Sequence, residues 1–343
     1  MKKIIFVLIA ILFVSSVFYY GVKEKTPKES GEIKVVTTLF PLYDAAKFIG
    51  GEKANVSLLL PPGVEAHSFE PKPSDIVRIN EADIFAYTGP FMEVWASDIL
   101  NGISENVTVV DSSKGATLIE GEEHEHEHGH EDEHADENES DEEHEHEDES
   151  TEEIEDIHSD EHDHHGIDPH FWLDFENMKT ISSNILEAYI SVDPTNEPYY
   201  RANFEAYVLQ ISEIENMYTE TLLSCSNKNI VYGGHFAFNY LAKKFSLNYY
   251  SAQGFSPDSE PSAKDLIELV ELVKQKNVKA IFYEELSSPK IAETIAKETG
   301  TSLLLLNGAH NLSKEDLENG VEFFDIMEQN LDNLKVGLNC KNE

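Results

Sequence analysis

Apolar positions in this chain come in short bursts, alternately strand-like and helix-like, in two sets separated by one long polar run. Ile33-Lys34-Val35-Val36-Thr37-Thr38 is rich in β-branched residues and lies between Gly31 and Pro41, which predicts a first strand. Leu42 to Ile49, stopped by Gly50-Gly51, predicts a helix. Ala54 to Leu60, closed by Pro61-Pro62-Gly63, predicts a second strand, and Lys72 to Ala82 a helix. Asp83 to Thr88 and Val107 to Asp111 read as strands, with a helix from about Phe91 to Leu100 between them. After the polar run, Glu176 to about Ile190 reads as a helix, and Asp193-Pro194 as the cap and first-turn proline of a longer one ending near Ser224. In that segment Phe204, Tyr207, Ile211, Ile214 and Tyr218 recur at 3-4-3-4 spacing, a single apolar stripe on a helix of about 40 Å.

A second set follows. Asn229 to Tyr232, Leu247 to Tyr250, Ala280 to Tyr283 and Ser302 to Leu306 read as strands. Helices are expected at Phe236 to Phe245, Ser262 to Lys276, Lys290 to Thr299 and, capped by Asn311 or Ser313, Lys314 to Leu338. Strands alternating with helices predict parallel sheets. The expectation is therefore two α/β lobes, 31–192 and 225–343, joined by one long rigid helix at 193–224, with a ligand site between them.

Composition adds a compartment. Met1-Lys2-Lys3 precedes an uncharged apolar stretch from Ile4 to Tyr20, which fits a cleaved signal or an uncleaved membrane anchor, with a tether to about residue 30. Either places the body outside the cytoplasm. Cys225 and Cys340 offer one disulfide pairing; whether they meet is left to the fold. The formal net charge is -41, which excludes nucleic acid as a partner and favours cations.

The polar run carries much of that charge. Residues 120–163 hold 25 Asp and Glu and no Lys or Arg. Eleven of the 15 histidines stand between His124 and His165. Such a segment has too little apolar surface to offset its ordering entropy, so the 120–165 insert is expected to be disordered. Irregular imidazole spacing suits many weak, exchangeable metal sites, hence a metal-collecting arm; the plainer alternative is a solvated acidic spacer.

The other four histidines are His67, His170, His235 and His310; three follow a predicted strand through a short loop, and His170 follows the strand Val107 to Asp111 beyond the insert. Two come from each lobe, the pattern of one metal site shared between lobes. Glu65, Asp168, Asp174, Asn307, Glu284 and Glu285 are the neighbouring oxygen donors that could fix an imidazole tautomer. Four imidazoles would favour zinc over manganese. Outside the acidic run no His-Glu-x-x-His or comparable acid–base pairing is present, which argues against a zinc hydrolase.

Pro62-Gly63-Val64-Glu65-Ala66-His67-Ser68-Phe69-Glu70-Pro71, Asp168-Pro169-His170-Phe171-Trp172-Leu173-Asp174, Gly234-His235-Phe236-Ala237-Phe238 and Glu260-Pro261-Ser262-Ala263-Lys264-Asp265-Leu266 together resemble the substrate-binding proteins of zinc and manganese ABC importers. The likeness runs from about Ile33 to the C-terminus apart from the insert. It implies two α/β lobes on a rigid helix, zinc held by His67, His170 and His235, no enzymatic activity, an importer permease as partner and a monomeric state. Histidine at the third position resembles the zinc-type members, for which an acidic histidine-rich insert is common; manganese is the lesser expectation. The fourth position departs from the family pattern. Leu306-Asn307-Gly308-Ala309-His310-Asn311-Leu312 has histidine where many members have glutamate, which leaves His310, a water or another oxygen as the fourth ligand. A metal buffer or metal-dependent adhesin without a transporter is the alternative role.

Overall fold

The computed structural model describes residues 32–120, 166–254 and 261–341. The expectations for the N-terminal apolar stretch, the acidic histidine run and Glu260 fall outside the described residues.

Two four-stranded parallel sheets organise the chain. The first comprises β1 (Ile33–Thr37), β2 (Ala54–Leu58), β3 (Ile84–Tyr87) and β4 (Thr108–Asp111), in the spatial order β2-β1-β3-β4. The second comprises β5 (Asn229–Tyr232), β6 (Asn248–Ser251), β7 (Ala280–Tyr283) and β8 (Ser302–Leu305), in the order β6-β5-β7-β8. Parallel neighbours such as Val36↔Phe85 and Phe282↔Leu304 require crossovers, and helices supply most of them. In the first sheet these are α1 (Phe40–Gly50), α2 (Pro73–Asn80) and the short α3 (Ala96–Leu100). In the second they are α6 (Asn239–Lys244), α7 (Ala263–Gln275) and α8 (Lys290–Thr299). Central strands are largely buried, Ile84–Tyr87 at every position, which explains their apolar runs.

Between the sheets run α4 (Phe175–Val192) and the 27-residue α5 (Glu197–Leu223). The expected stripe is on the buried face of α5: Tyr207, Ile211, Ile214 and Tyr218 are buried, extended by Tyr200 and Leu222, with Phe204 half-buried. This one helix binds both halves. The Tyr207 hydroxyl donates to Asp44 on α1, and the Tyr218 hydroxyl to the Met327 carbonyl at the far end. A single hydrophobic core runs through both lobes along this helix, with a smaller satellite beneath each sheet. Shearing the lobes apart would expose aromatic rings, each stabilising by about 1.5–3 kcal/mol when buried, so large hinge motion is disfavoured.

Several boundaries differ from expectation, with physical reasons. Asp193 does not cap the long helix; Pro194–Asn196 forms its own 3₁₀ turn, and the Asp193 carboxylate accepts from Asn196 and Tyr200. Pro198 is the first-turn proline of α5. The expected helix from Phe236 starts only at Asn239, because residues 236–238 form the loop after His235. The single helix expected over Lys314 to Leu338 is two, α9 (Lys314–Asn319) and α10 (Phe323–Gly337). Gly320 breaks it at φ +72°, a left-handed position that a side chain would strain. Ser313 caps α9 as expected, while Asn311 does something else. Cys225 and Cys340 form a disulfide that ties the end of α5 to the C-terminal segment. Among the described residues no helix is long and apolar enough to cross a membrane.

Candidate metal centre

All four strand-following histidines meet in the cleft between the carboxyl ends of the two sheets. His67 comes from the loop after β2. Pro61-Pro62-Gly63 keeps that segment out of both ladder and helix, and it folds over the second lobe instead. Gly63 N donates to Leu312 O at 2.8 Å, and the Asn311 amide donates to Pro61 O at 2.8 Å and Val64 O at 2.9 Å. His170 opens a 3₁₀ turn, Phe171–Leu173, after which Asp174 caps α4 through the Glu176 and Asn177 amides. His235 follows Gly233-Gly234, where backbone approach is close. A Cβ on Gly233 would lie 2.5 Å from Ala292 Cβ, and one on Gly234 would lie 2.7 Å from Glu284 Oε2.

The His310 loop is the most constrained. The Asn307 carboxamide oxygen accepts Ala309 N, turning the chain so that Ala309 takes φ +57°. The Asn330 side chain brackets Asn307 N and O. Gly308 lies under the His310 ring; a Cβ there would come within 2.5 Å of it. The Trp172 indole N–H donates to Gly308 O at 2.9 Å, joining the His170 turn to the His310 loop.

The arrangement of the rings is the central geometric fact. All six centroid separations among the four imidazoles lie between 5.0 and 5.7 Å. Four points so nearly equidistant form a tetrahedron. The Nε2 atoms of His67 and His235 each lie 3.2 Å from His170 Nε2. A tetrahedral zinc with Zn–N near ~2.0–2.1 Å requires N···N edges of about 3.3 Å.

Carboxylates stand at the opposite ring edges of three of the four imidazoles. His170 Nδ1 lies 2.8 Å from Asp168 Oδ1, and His235 Nδ1 lies 2.7 Å from Glu284 Oε1. His310 Nδ1 faces Glu285 at 3.6 Å, and Glu285 also accepts Gly308 N. The Asp168 hydrogen bond at Nδ1 favours the proton there and leaves His170 Nε2 free to ligate, while Glu284 and Glu285 stand beside the Nδ1 edges of His235 and His310. His310 Nε2 is buried with no hydrogen-bond partner. Burial first, then the neighbouring imidazoles, lowers His67 to about 2 and His310 to about 3, and holds His170 well below its ordinary value. Three imidazoles held below their ordinary value, with ring nitrogens converging at 3.2 Å, form a site that a cation completes. Burial pushes Asp168 and Glu285 up to about 7, so a divalent cation in the cleft would also relieve the cost of their negative charge.

Of the oxygen donors flagged in the sequence, Asp168, Glu284 and Glu285 face imidazoles. Asp174 caps a helix, Asn307 makes a turn, and Glu65 accepts Ser68 N. The sequence reading missed Asn311, Trp172 and Gly308. For Gly308 the signal was available, since glycine stands two residues before the histidine that departs from the family pattern.

Comparison with known proteins gives a consistent picture. Residues 35–337 match the family described as zinc-uptake complex component A, periplasmic. The high-affinity zinc uptake system protein ZnuA of Bacillus subtilis is 36% identical over 320 residues, covering 93% of this chain and 92% of that protein. The zinc-binding protein AdcA of Streptococcus pyogenes is 34% identical over 339 residues, and the match spans 98% of this chain but only 62% of AdcA. The solved Zn(II)-bound ZnuA-like domain of Streptococcus pneumoniae AdcA superposes with a TM-score of 0.69 at 28% identity, covering 90% of this chain and 99% of that one.

Proposed function

The chain belongs to the zinc-uptake component A family, the zinc-binding proteins of ABC import, and from that premise we propose that His67, His170, His235 and His310 together hold the transported Zn2+. The near-regular tetrahedron of imidazoles carries this assignment. On this reading His310, rather than a water or a carboxylate, is the fourth ligand. Four nitrogen donors in a tetrahedron suit zinc and disfavour manganese, which prefers oxygen donors in octahedra.

The family is one of metal-binding transport components. We read this chain as performing no reaction: four protein ligands close the coordination sphere, whereas catalytic zinc keeps an open position. Zinc binds outside the cytoplasm and passes to an importer permease, the protein acting as a monomer attached through its N-terminal segment or docked through the permease. The two lobes and the α5 connector correspond to divisions at residues 31–192, 193–224 and 225–343. The acidic histidine run serves as a collecting arm that raises local zinc near the cleft.

The test is a chelator-competition titration of the full-length chain. One tight zinc, lost in His170→Ala, supports the cleft site. Tight binding that survives His170→Ala would move the metal elsewhere. Zinc uptake by vesicles carrying the cognate permease separates import from an extracellular buffer or adhesin.

A further inference from the structure

The two ends of the acidic histidine run return to the body side by side. Glu120 and Ile167 form an antiparallel bridge, and Asp168 N donates to Ile119 O at 3.0 Å. In an ordinary antiparallel pair the second bond would run directly from Ile119 N to Asp168 O. Here a phenol stands in that gap. Ile119 N donates to Tyr240 Oη at 2.9 Å, and Tyr240 Oη donates to Asp168 O at 2.8 Å. The ring of three hydrogen bonds is complete, with donor and acceptor capacity of the hydroxyl both used.

Tyr240 belongs to α6 of the second lobe, five residues beyond His235, and is buried. Asp168 belongs to the first lobe, and its carboxylate accepts both the backbone N and Nδ1 of His170. Burial raises the Tyr240 phenol, which keeps its proton for Asp168. Asn239, next to Tyr240, lies against the Asp168 carboxyl. One side chain therefore touches three things: the base of the histidine run, the residue that orients one proposed ligand, and the element that carries another.

We propose that Tyr240 is a positioning residue of the metal centre: its hydroxyl, wedged into the Ile119–Asp168 pair, sets where Asp168 holds His170 and couples the base of the histidine run to the cleft. This rests on the proposed zinc site. Removing the hydroxyl leaves two choices. The pair closes directly and carries Asp168 and His170 with it, or a buried N–H and C=O lose their partner. Closure changes metal geometry, whereas loss of partners alone changes stability.

The experiment compares the full-length chain with Tyr240→Phe and Tyr218→Phe. Tyr218 also spends its hydroxyl on a buried carbonyl, Met327 O, and its ring packs on Phe175 and Phe245. Each protein receives one equivalent of metal; zinc affinity comes from chelator competition and ligand geometry from the visible spectrum of the Co2+ form. Expected for Tyr240→Phe is zinc binding weakened about 10–100-fold, the range for outer partners of metal ligands, with altered Co2+ band positions or intensities. Tyr218→Phe is expected to lower the melting temperature while keeping zinc affinity within about 2-fold and the Co2+ spectrum unchanged. Zinc affinity within about 2-fold and an unchanged Co2+ spectrum in folded Tyr240→Phe would overturn the inference. Should that variant not fold, amide exchange in the unaltered chain decides: one equivalent of zinc slows exchange at Ile119 N–H, and no slowing overturns the inference. Absence of tight zinc in the unaltered chain would instead sink the zinc assignment, and this inference with it.

Discussion

The two lobes have the same strand order and donate two histidines each, yet they support them differently. In the second lobe the end of β7 supplies adjacent carboxylates, Glu284 to His235 and Glu285 to His310. Both of those histidines are buried, and glycines beneath them let backbone and ring approach closely. In the first lobe His170 has Asp168, but His67 has no carboxylate at hydrogen-bond distance among the described residues and is only half-buried. The His67 loop is held by backbone bonds and by Asn311, a residue of the opposite lobe. Similar topology thus yields a preformed half-site on one side and a borrowed one on the other. If the four histidines hold zinc as proposed, the loop clamped from the other lobe is where release would begin.

The largest test of this asymmetry is to remove one proposed ligand from each class. His170→Ala, at the buried centre, should weaken zinc by well over 100-fold, beyond the range for outer partners; His67→Ala should weaken it less and chiefly speed release in stopped-flow chelator chase. Equal release rates for the two would erase the distinction. Asn311→Ala should follow, at about 10–100-fold weaker zinc, with the loss carried by the dissociation rate. A loss confined to the association rate would mean that the clamp does not hold the His67 loop. Glu284→Gln keeps size but weakens the hold on the His235 Nδ1 proton, for an expected loss of about 10-fold in competition titration.

A smaller effect concerns the seam between lobes. Asp44 accepts both the Tyr207 hydroxyl and Phe323 N, and burial outweighs these bonds to raise it from 3.8 to about 6. The folded state thus holds this proton more tightly than the unfolded chain. The resulting stabilisation is full below about pH 4 and lost as pH rises through about 6, at most ~3 kcal/mol. Metal-free Asp44→Asn should therefore lose less stability than the parent between pH 4 and 7 in urea melts. Identical pH slopes would remove Asp44 from the account. The smallest effect expected is deletion of residues 121–165. Because Glu120 and Ile167 already pair, a short turn can close the gap, and cleft affinity should stay within about 3-fold by competition titration. A drop comparable to that of Asn311→Ala would make the run part of the site rather than its supplier.

Much of this was readable in the chain because the signals were local. Short β-branched or apolar runs between turn residues marked the eight strands, and a 3.6-residue period marked the stripe of α5. Prolines and glycines marked the loops that carry His67, His235 and His310. Errors came where a tertiary demand overrode local propensity. Residues 236–238 look helical but are used to seat His235, and Gly320 breaks a helix whose two halves pack separately. The carboxylate partners were visible only as a shortlist, because adjacency in sequence says nothing about which oxygen faces which ring.

The sequence by itself determined the fold class, the four candidate ligands and the charge that draws cations, all of which depend on residue type and short-range spacing. Only the tertiary structure decided that the four rings stand at the corners of a tetrahedron and that Cys225 meets Cys340. It also decided that Asn311 and Tyr240 reach across to the other lobe's ligand loops. Those facts depend on how two separately folded sheets are set against each other by the buried face of one helix. No local pattern encodes the distance between residues brought together from opposite ends of a chain.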